Sequence, residues 1–238
     1  MARLGWIVEG WKPALTPEPV VMEGAYARLE PLNRRHAADL HAALQGAEDT
    51  WDYLPYGPFF GIGEYARFIE RLGASRDPLF FAVIDRATGL PGGVMSLMRI
   101  SPEQGSIEVG HICLAPRIRR TRAATEAIFL LAAHVFALGF RRFEWKCDAL
   151  NLPSRRAAQR FGFSYEGVFR QATVVKGRNR DTAWFAMVDR DWPCLGAAYA
   201  EWLDRANFGA DGTQGRPLSE LTANCRVTDD PVIASAEG

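Results

Sequence analysis

The sequence predicts a single α+β domain, and three observations carry that prediction. Three strand-like segments lie between residues 79 and 115, joined only by short turns. A long, apolar helix follows them directly, and after it come a strand, a short helix and two more strands. No repeat period and no linker interrupts Ala25 to Phe208.

Taken in order, alternation in Ala25–Leu32, with Tyr26, Leu29 and Leu32 among polar residues, predicts a first strand. His36–Leu44 then repeats apolar residues at helical spacing, and Trp51–Gly63, rich in aromatics, glycine and proline, predicts a loop. Tyr65, Phe68, Ile69 and Leu72 fall three and four residues apart, which predicts a helix over Glu64–Leu72. Strands are expected at Leu79–Asp85, Gly92–Ile100 and Ser106–Ala115, divided by Thr88-Gly89 and Gln104-Gly105 in an antiparallel meander.

The longest helix should run from Arg122 to Leu138. It is apolar at Ile128, Leu131, Val135 and Leu138 on one side and at Phe129, Ala133 and Phe136 on another, so more than one side is buried. Gly139 is a natural left-handed stop. In Arg142–Ala149, Phe143, Trp145 and Cys147 alternate with Glu144, Lys146 and Asp148, which predicts a strand with one apolar and one polar face. A short helix, Pro153–Phe161, ends at Gly162, and strands at Tyr165–Val175 and Thr182–Val188 form a hairpin across Lys176-Gly177-Arg178-Asn179. Ala197–Ala206 reads as a last helix. The long helix between the fourth and fifth strands makes these two parallel neighbours. Residues 1–24 are then an N-terminal extension, 25–208 the domain, and 209–238, poor in large apolar residues, a flexible C-terminal tail.

Composition narrows the function classes. Lysine plus arginine equals aspartate plus glutamate at 28 each, so no field of one sign draws the chain to nucleic acid or to an anionic membrane. Any charged ligand must be gripped locally. No charge-free apolar run reaches the roughly 18 residues of a membrane helix, and Met1–Gly10 lacks a signal-peptide pattern, so the expectation is a cytoplasmic protein. The cysteines Cys113, Cys147, Cys194 and Cys225 are scattered without metal-site spacing and are expected to be reduced, mostly buried thiols, with no metal.

The segment with the most chemistry is Arg117–Glu126. A strand that runs through a tight turn into a helix gathers backbone N–H groups and the positive end of the helix dipole at one point, which suits a phosphate. The dipole alone contributes only about 0.3–1 kcal/mol, so side chains must add to it. Arg117, Arg119, Arg120 and Arg122 supply guanidinium groups, Ala123, Ala124 and Thr125 leave room for close approach, and Thr121 is placed to cap the helix. Its bland alternative is a solvated arginine-rich turn.

Around this segment, IEVGHICLAP at 107–116, ATEAIFLLAAHVFALGFRRFEWKCDALNLPS at 124–154 and FGFSYEGVFRQ at 161–171 stand in order. On these stretches, and on the Asn-x-x-Ser pair of Asn151 and Ser154, the sequence resembles the GNAT superfamily of N-acetyltransferases over Gly24 to Pro193. Within it, the resemblance is to the branch related to ribosomal-protein N-terminal acetyltransferases (RimJ/RimL-like). It implies the GNAT fold, a mixed, mostly antiparallel, splayed sheet flanked by helices, in which the fourth and fifth strands part. It also implies acetyl-CoA as cosubstrate, with pantetheine against the backbone of Ile112, Cys113 and Leu114 and the diphosphate at the turn before the long helix. Where the superfamily has glycines in that turn, this chain has Arg120 and Arg122, so either arginine pairing replaces backbone cradling or the loop takes another path. A homodimer is common among similar proteins.

Acetyl transfer needs a neutral amine and a proton for the leaving thiolate. Glu108 is the leading candidate base because it lies just before the expected pantetheine contact; the alternative is a strand carboxylate facing water. His111 alternates with Val109 and Cys113, so it either serves the reaction or packs in the core, and Asp148 ends a polar strand face that could reach the gap. The tyrosine acid of many superfamily members corresponds to Ala158, which leaves that role vacant. In the RimJ/RimL-like branch a serine takes the role, and the matching residue is Ser154; otherwise Ser154 caps the helix. Asn151 is expected to orient pantetheine or the loop, and Thr173 stands where that branch can carry a glutamate base.

The acceptor pocket is expected between Trp51, Asp52, Tyr53, Tyr56, Phe59 and Phe60 on one side and Arg170, Lys176, Arg178, Arg180 and Asp181 on the other. A cationic amine would suit Asp52 or Asp181, and the aromatics would otherwise be core. Two acceptor classes stay open: a small-molecule amine (antibiotic, amino acid or polyamine) and a protein N-terminus. A pocket closed by Trp51–Phe60 favours the first and an open groove the second. A non-catalytic acyl-CoA-binding regulator is the competing reading from another class, since the tyrosine is missing and the glycines are replaced.

Overall fold

The computed structural model describes residues 4–236; residues 1–3 and 237–238, the ends of the expected extension and tail, lie outside them. Strands β1 (Met22–Glu23) and β2 (Ala27–Pro31) precede helices α1 (Ala37–Ala43) and α2 (Ile62–Gly73). The meander follows as β3 (Leu79–Asp85), β4 (Leu90–Ser101) and β5 (Ser106–Leu114), then α3 (Arg122–Ala137), β6 (Arg142–Asp148) and α4 (Leu152–Arg160). Strands β7 (Ser164–Val175) and β8 (Arg178–Val188) form the expected hairpin, and α5 (Trp192–Leu203), α6 (Leu218–Ala223) and α7 (Pro231–Ala236) complete the chain.

The strands make one mostly antiparallel sheet in the order β1-β2-β3-β4-β5-β6-β8-β7. Strand β3 shows how the layers arise. Its near-continuous apolar run LFFAVID is buried on both faces: Leu79, Phe81 and Val83 join the core under α3 and α5, while Phe80, Ala82 and Ile84 join a second core under α1 and α2. Helix α3 begins where Thr121 Oγ1 accepts from Ala124 N at 3.3 Å and stops at Gly139, whose φ of +89° only a glycine adopts readily.

The pairing of β5 with β6 positions the site. It is parallel, as the α3 crossover requires, but it runs only from Ser106 opposite Arg142 to Val109 opposite Trp145. Beyond that point β5 stays on β4 and β6 on β8, so the sheet splays into a gap. Where the gap opens, β5 bulges: Gly110 opposes Ser96 but Cys113 opposes Val94, and His111 between them has φ +50°.

Two expectations fail here. The C-terminal segment is not a flexible tail over its described part: Leu218, Thr222 and Asp230 are fully buried, and Asp230 accepts two 2.6 Å hydrogen bonds from Arg155 of α4. Its composition reads as polar because its buried anchors are few and their partners lie far away in sequence. The cysteines are not all free thiols either, since Cys194 of α5 is joined to Cys225 just after α6. Cys113 and Cys147 are free and buried, as expected. No helix of the described residues is long and apolar enough to cross a membrane.

Candidate active site

A cavity of about 1500 Å³ passes through the gap between β5 and β6. That exceeds the ~300–1,000 Å³ typical of drug-sized ligands, leaving room for a long cosubstrate and an acceptor together. Val109 and Trp145, whose side chains belong to the core under α3, line it along with Glu108 and Lys146, their neighbours of opposite facing. One cavity is therefore reached from both faces of the sheet.

Its first end is the α3 N-terminus, lined by Arg119, Arg120, Thr121, Arg122, Ala124 and Thr125. Arg120 has φ +61°, so the turn keeps the left-handed backbone of a glycine although an arginine occupies it. Arg122 lies between the Tyr26 and Phe208 rings, 4.6 Å from each centroid. Arg119 donates to the Leu114 carbonyl at 2.9 Å and is bound to Thr50, which ties the turn to the loop before α2. Arg117 departs from its expected role: it lies outside the cavity, donating to the Pro91 carbonyl at 2.6 Å near Asp85. Ala123 is buried in the core, and Glu126 is spent on the fold, its carboxylate accepting from the backbone N–H groups of Ala25, Tyr26 and Ala27 at 2.5–2.8 Å.

Two arginines at this end carried no signal in the sequence order. Arg156 and Arg160 of α4 line the cavity, and among the described residues Arg156 has no ion pair while Arg160 donates only to Thr125 Oγ1, at 3.2 Å. Burial lowers the pKa of the Arg160 guanidinium, as expected for a desolvated cation without a carboxylate. Trp202, Phe208 and Gln214, from α5 and the segment after it, complete the wall.

At the centre, Ser154 lines the cavity on the first turn of α4, where Trp145 Nε1 donates to its Oγ at 3.1 Å. Asn151 caps the helix, accepting from Ser154 N at 3.1 Å, and it also faces the cavity. Ile112 and Leu114 line the cavity, whereas the Cys113 side chain is buried in the α1–α2 core, where desolvation pushes its thiol up to about 12. The bulge explains this: it puts Val109 and Cys113 on opposite faces although they are four residues apart in one strand. It also turns His111 into the cavity rather than the core, 3.1 Å from the Tyr56 hydroxyl, with its pKa lowered by burial and by Arg99. Glu108 is 4 % exposed and bonded to Lys146 Nζ at 2.9 Å and Arg99 at 3.0 Å. Burial pushes its carboxyl up against the pull of both cations. Asp148 does not reach the gap; its carboxylate accepts from Leu150 N at 2.9 Å and closes the turn before α4.

The second end holds Asp52 and Tyr53 on one wall and Thr173, Arg180, Thr182 and Trp184 on the other. Trp51 is not there: it is 4 % exposed and packs edge-on against Phe59 and Tyr65. Arg170 and Asp181 are absent as well, lying at a separate surface hollow where Asp181 accepts from Gln171 N and Asn179 Nδ2 at 2.7 and 2.9 Å. The loop before α2 is tied to the β7–β8 turn by Lys176 Nζ donating to the Trp51 carbonyl at 2.8 Å, and to the turn before α4 by Tyr53 donating to the Leu150 carbonyl at 3.3 Å.

A sheet split between two parallel strands, with an arginine-rich helix N-terminus at one end and a buried carboxylate and a serine along the cavity, is the architecture of an acyl-group transferase. The model of the acetyltransferase (GNAT) domain matches residues 27–164, and the chain belongs to that family. It is an acetyltransferase that uses acetyl-CoA. A GCN5-related N-acetyltransferase from Brucella melitensis is similar over 91 % of this chain and 100 % of that one, at 48 % identity and a TM-score of 0.88. A probable GNAT-family acetyltransferase from Chromobacterium violaceum is 39 % identical, covering 81 % of this chain and 98 % of that one, with a TM-score of 0.75. An uncharacterised N-acetyltransferase of Bacillus licheniformis, p20, is 25 % identical over 72 % of this chain and 99 % of its own length.

Proposed function

We propose that the enzyme acetylates the primary amine of a small molecule, by direct transfer without an acetylated enzyme, with Glu108 and Ser154 as its proton-handling groups. Bound acetyl-CoA supplies an activated acetyl thioester. Arg120, Arg122, Arg156 and Arg160 hold its phosphates: four cavity-lining guanidinium groups without carboxylate partners among the described residues match the charge of a polyphosphorylated ligand. Arg119 positions the turn, and the parted edge of β5 at Ile112 and Leu114 receives the pantetheine arm.

Glu108 removes a proton from the acceptor ammonium, directly or through one water, so that the neutral amine attacks the thioester carbonyl, and its raised pKa brings it nearer the working pH of a base. Ser154 uses one lone pair to accept from Trp145, which leaves its own proton free for the departing sulfur. This serine role accords with the RimJ/RimL-like branch, to which we assign the chain on Asn151 and Ser154. The observation that carries the small-molecule reading is the pair of bonds by which Lys176 and Tyr53 tie the loop before α2 to the β7–β8 turn and to the turn before α4, which restrains the loop that walls the acceptor end.

Thiol release from acetyl-CoA, measured against a panel of amines and short peptides, tests both parts. Small amines should be turned over with kcat/KM at least tenfold above peptides. Peptides turned over equally well would overturn the acceptor class, and unchanged rates in both Ser154→Ala and Glu108→Gln would overturn the mechanism.

A further inference from the structure

Among the described residues, one cation that lines the acceptor end of the cavity, Arg180, has no ion pair. Arg99 and Lys146 are both bound to Glu108, and Lys146 also to Glu144, which Arg142 shares. Glu166 completes the chain beyond Arg142. Arg180, on the same face of the sheet and lining the same cavity, has no ion pair and no hydrogen bond from its guanidinium among the described residues, and its Nε is buried without a partner. Four residues further along β8 the indole Nε1 of Trp184 is also buried without an acceptor. The Trp184 ring is held in place by Lys146 Nζ, 3.8 Å from its centroid.

Buried donors and desolvated cations are normally partnered, because leaving them unmet costs free energy that the fold must recover elsewhere. Two such groups on one cavity wall, with Thr182 between them, mark a place prepared for an acceptor of negative charge. Arg180, Cys147 and Ser154 all line this one cavity. The uncompensated cation therefore shares one cavity with the proposed point of transfer. On the opposite wall Asp52 is exposed and free to receive an ammonium group.

We propose that the amine acceptor carries an acidic group, a carboxylate or a phosphate, and that Arg180 binds this group while Trp184 donates to it. This inference rests on the acetyl-transfer reading above and adds the charge of the acceptor. Arg180 is a specificity residue here: its fork geometry suits a two-oxygen acid, and a neutral amine would leave it unpaired.

Matched acceptors test the assignment, with thiol release giving kcat/KM for each. The pairs are an amino acid and its primary amide, an aminoalkyl phosphate and the corresponding amino alcohol, and two N-terminally free peptides differing only by an acidic or neutral second residue. The wild-type enzyme should prefer the acidic member of a small-molecule pair at least tenfold. Arg180→Gln should reduce that ratio to within about twofold, chiefly through KM, and Arg180→Lys should restore part of it. Calorimetric titration with acetyl-CoA, unaltered by Arg180→Gln, shows that the variant is folded with its cosubstrate site intact. Transfer to neutral and acidic amines at equal rates would overturn this inference and leave the transferase reading standing. An acid preference confined to the peptide pair would overturn the small-molecule class and keep the role of Arg180. Tight acetyl-CoA binding with no transfer to any amine would overturn both.

Discussion

Arg160 and Arg117 show how little the identity of a side chain says about its use. Both are arginines near the turn before α3, yet Arg117 is bonded to a backbone carbonyl outside the cavity while Arg160 faces it with a single bond to a threonine. Hydrogen bonds to charged groups contribute about 1.5–3 kcal/mol, so Arg160→Gln and Arg122→Gln should each raise the KM for acetyl-CoA roughly tenfold or more. Arg117→Gln should leave it within about twofold, a contrast that steady-state kinetics reads directly. Ser154→Ala should lower kcat by about 10²-fold, the lower range for a lost proton donor, with little change in acetyl-CoA affinity. A Ser154 that only supported the helix would instead lower thermal stability and leave kcat unchanged.

At the scale of the elements, regular parts were legible and irregular ones were not. Strand β3 was readable residue for residue because seven apolar or half-buried positions between turn signals admit little else, and Thr121 was readable as a cap from its place before an apolar run. The bulge in β5 was not, since nothing in GHIC announces one extra residue; it follows from how β4 and β5 twist against each other, and it decides that His111 faces the cavity. The consequence is measurable. Burial lowers the pKa of His36, His111 and His134 below the ordinary value, so each favours its neutral form in the folded state. Their contribution to stability is present above the unfolded pKa of about 6.5 and is lost as pH falls through the lower folded values. Urea unfolding should therefore show stability declining below pH 6.5, and His134→Asn, which removes the titrating ring behind the partnerless Nε2, should make the decline shallower.

In the whole molecule, the C-terminal segment braces the helix that carries Ser154. Arg155 pairs with Asp230 through two bonds, Asp230 N donates to Gln159, and Thr222 donates to the Arg160 carbonyl, while the Cys194–Cys225 bond fixes the segment to α5. Breaking a buried pair costs about 3–5 kcal/mol, so Asp230→Ala should destabilise the fold by that order and lower kcat by loosening α4. Closing a loop over 31 residues of separation is worth about 3–4 kcal/mol in the chain-entropy account. Reductant should accordingly lower the melting temperature of the wild type and leave Cys194→Ser unaffected.

The sequence by itself determined the α+β class, the meander, the parallel crossover, and the order of motifs that marks an acetyltransferase, because these depend on local periodicity, caps and turns that a few neighbouring residues specify. Only the tertiary structure decided which arginines face the cavity, that Trp51 and Asp181 serve the fold, that His111 turns inward, and that the C-terminal segment is anchored at Leu218, Thr222 and Asp230. Those outcomes depend on groups far apart in the chain. Arg155 and Asp230 stand 75 residues apart, and no local pattern records that a buried cation on α4 will find its carboxylate there, or that Arg180 finds none among the described residues.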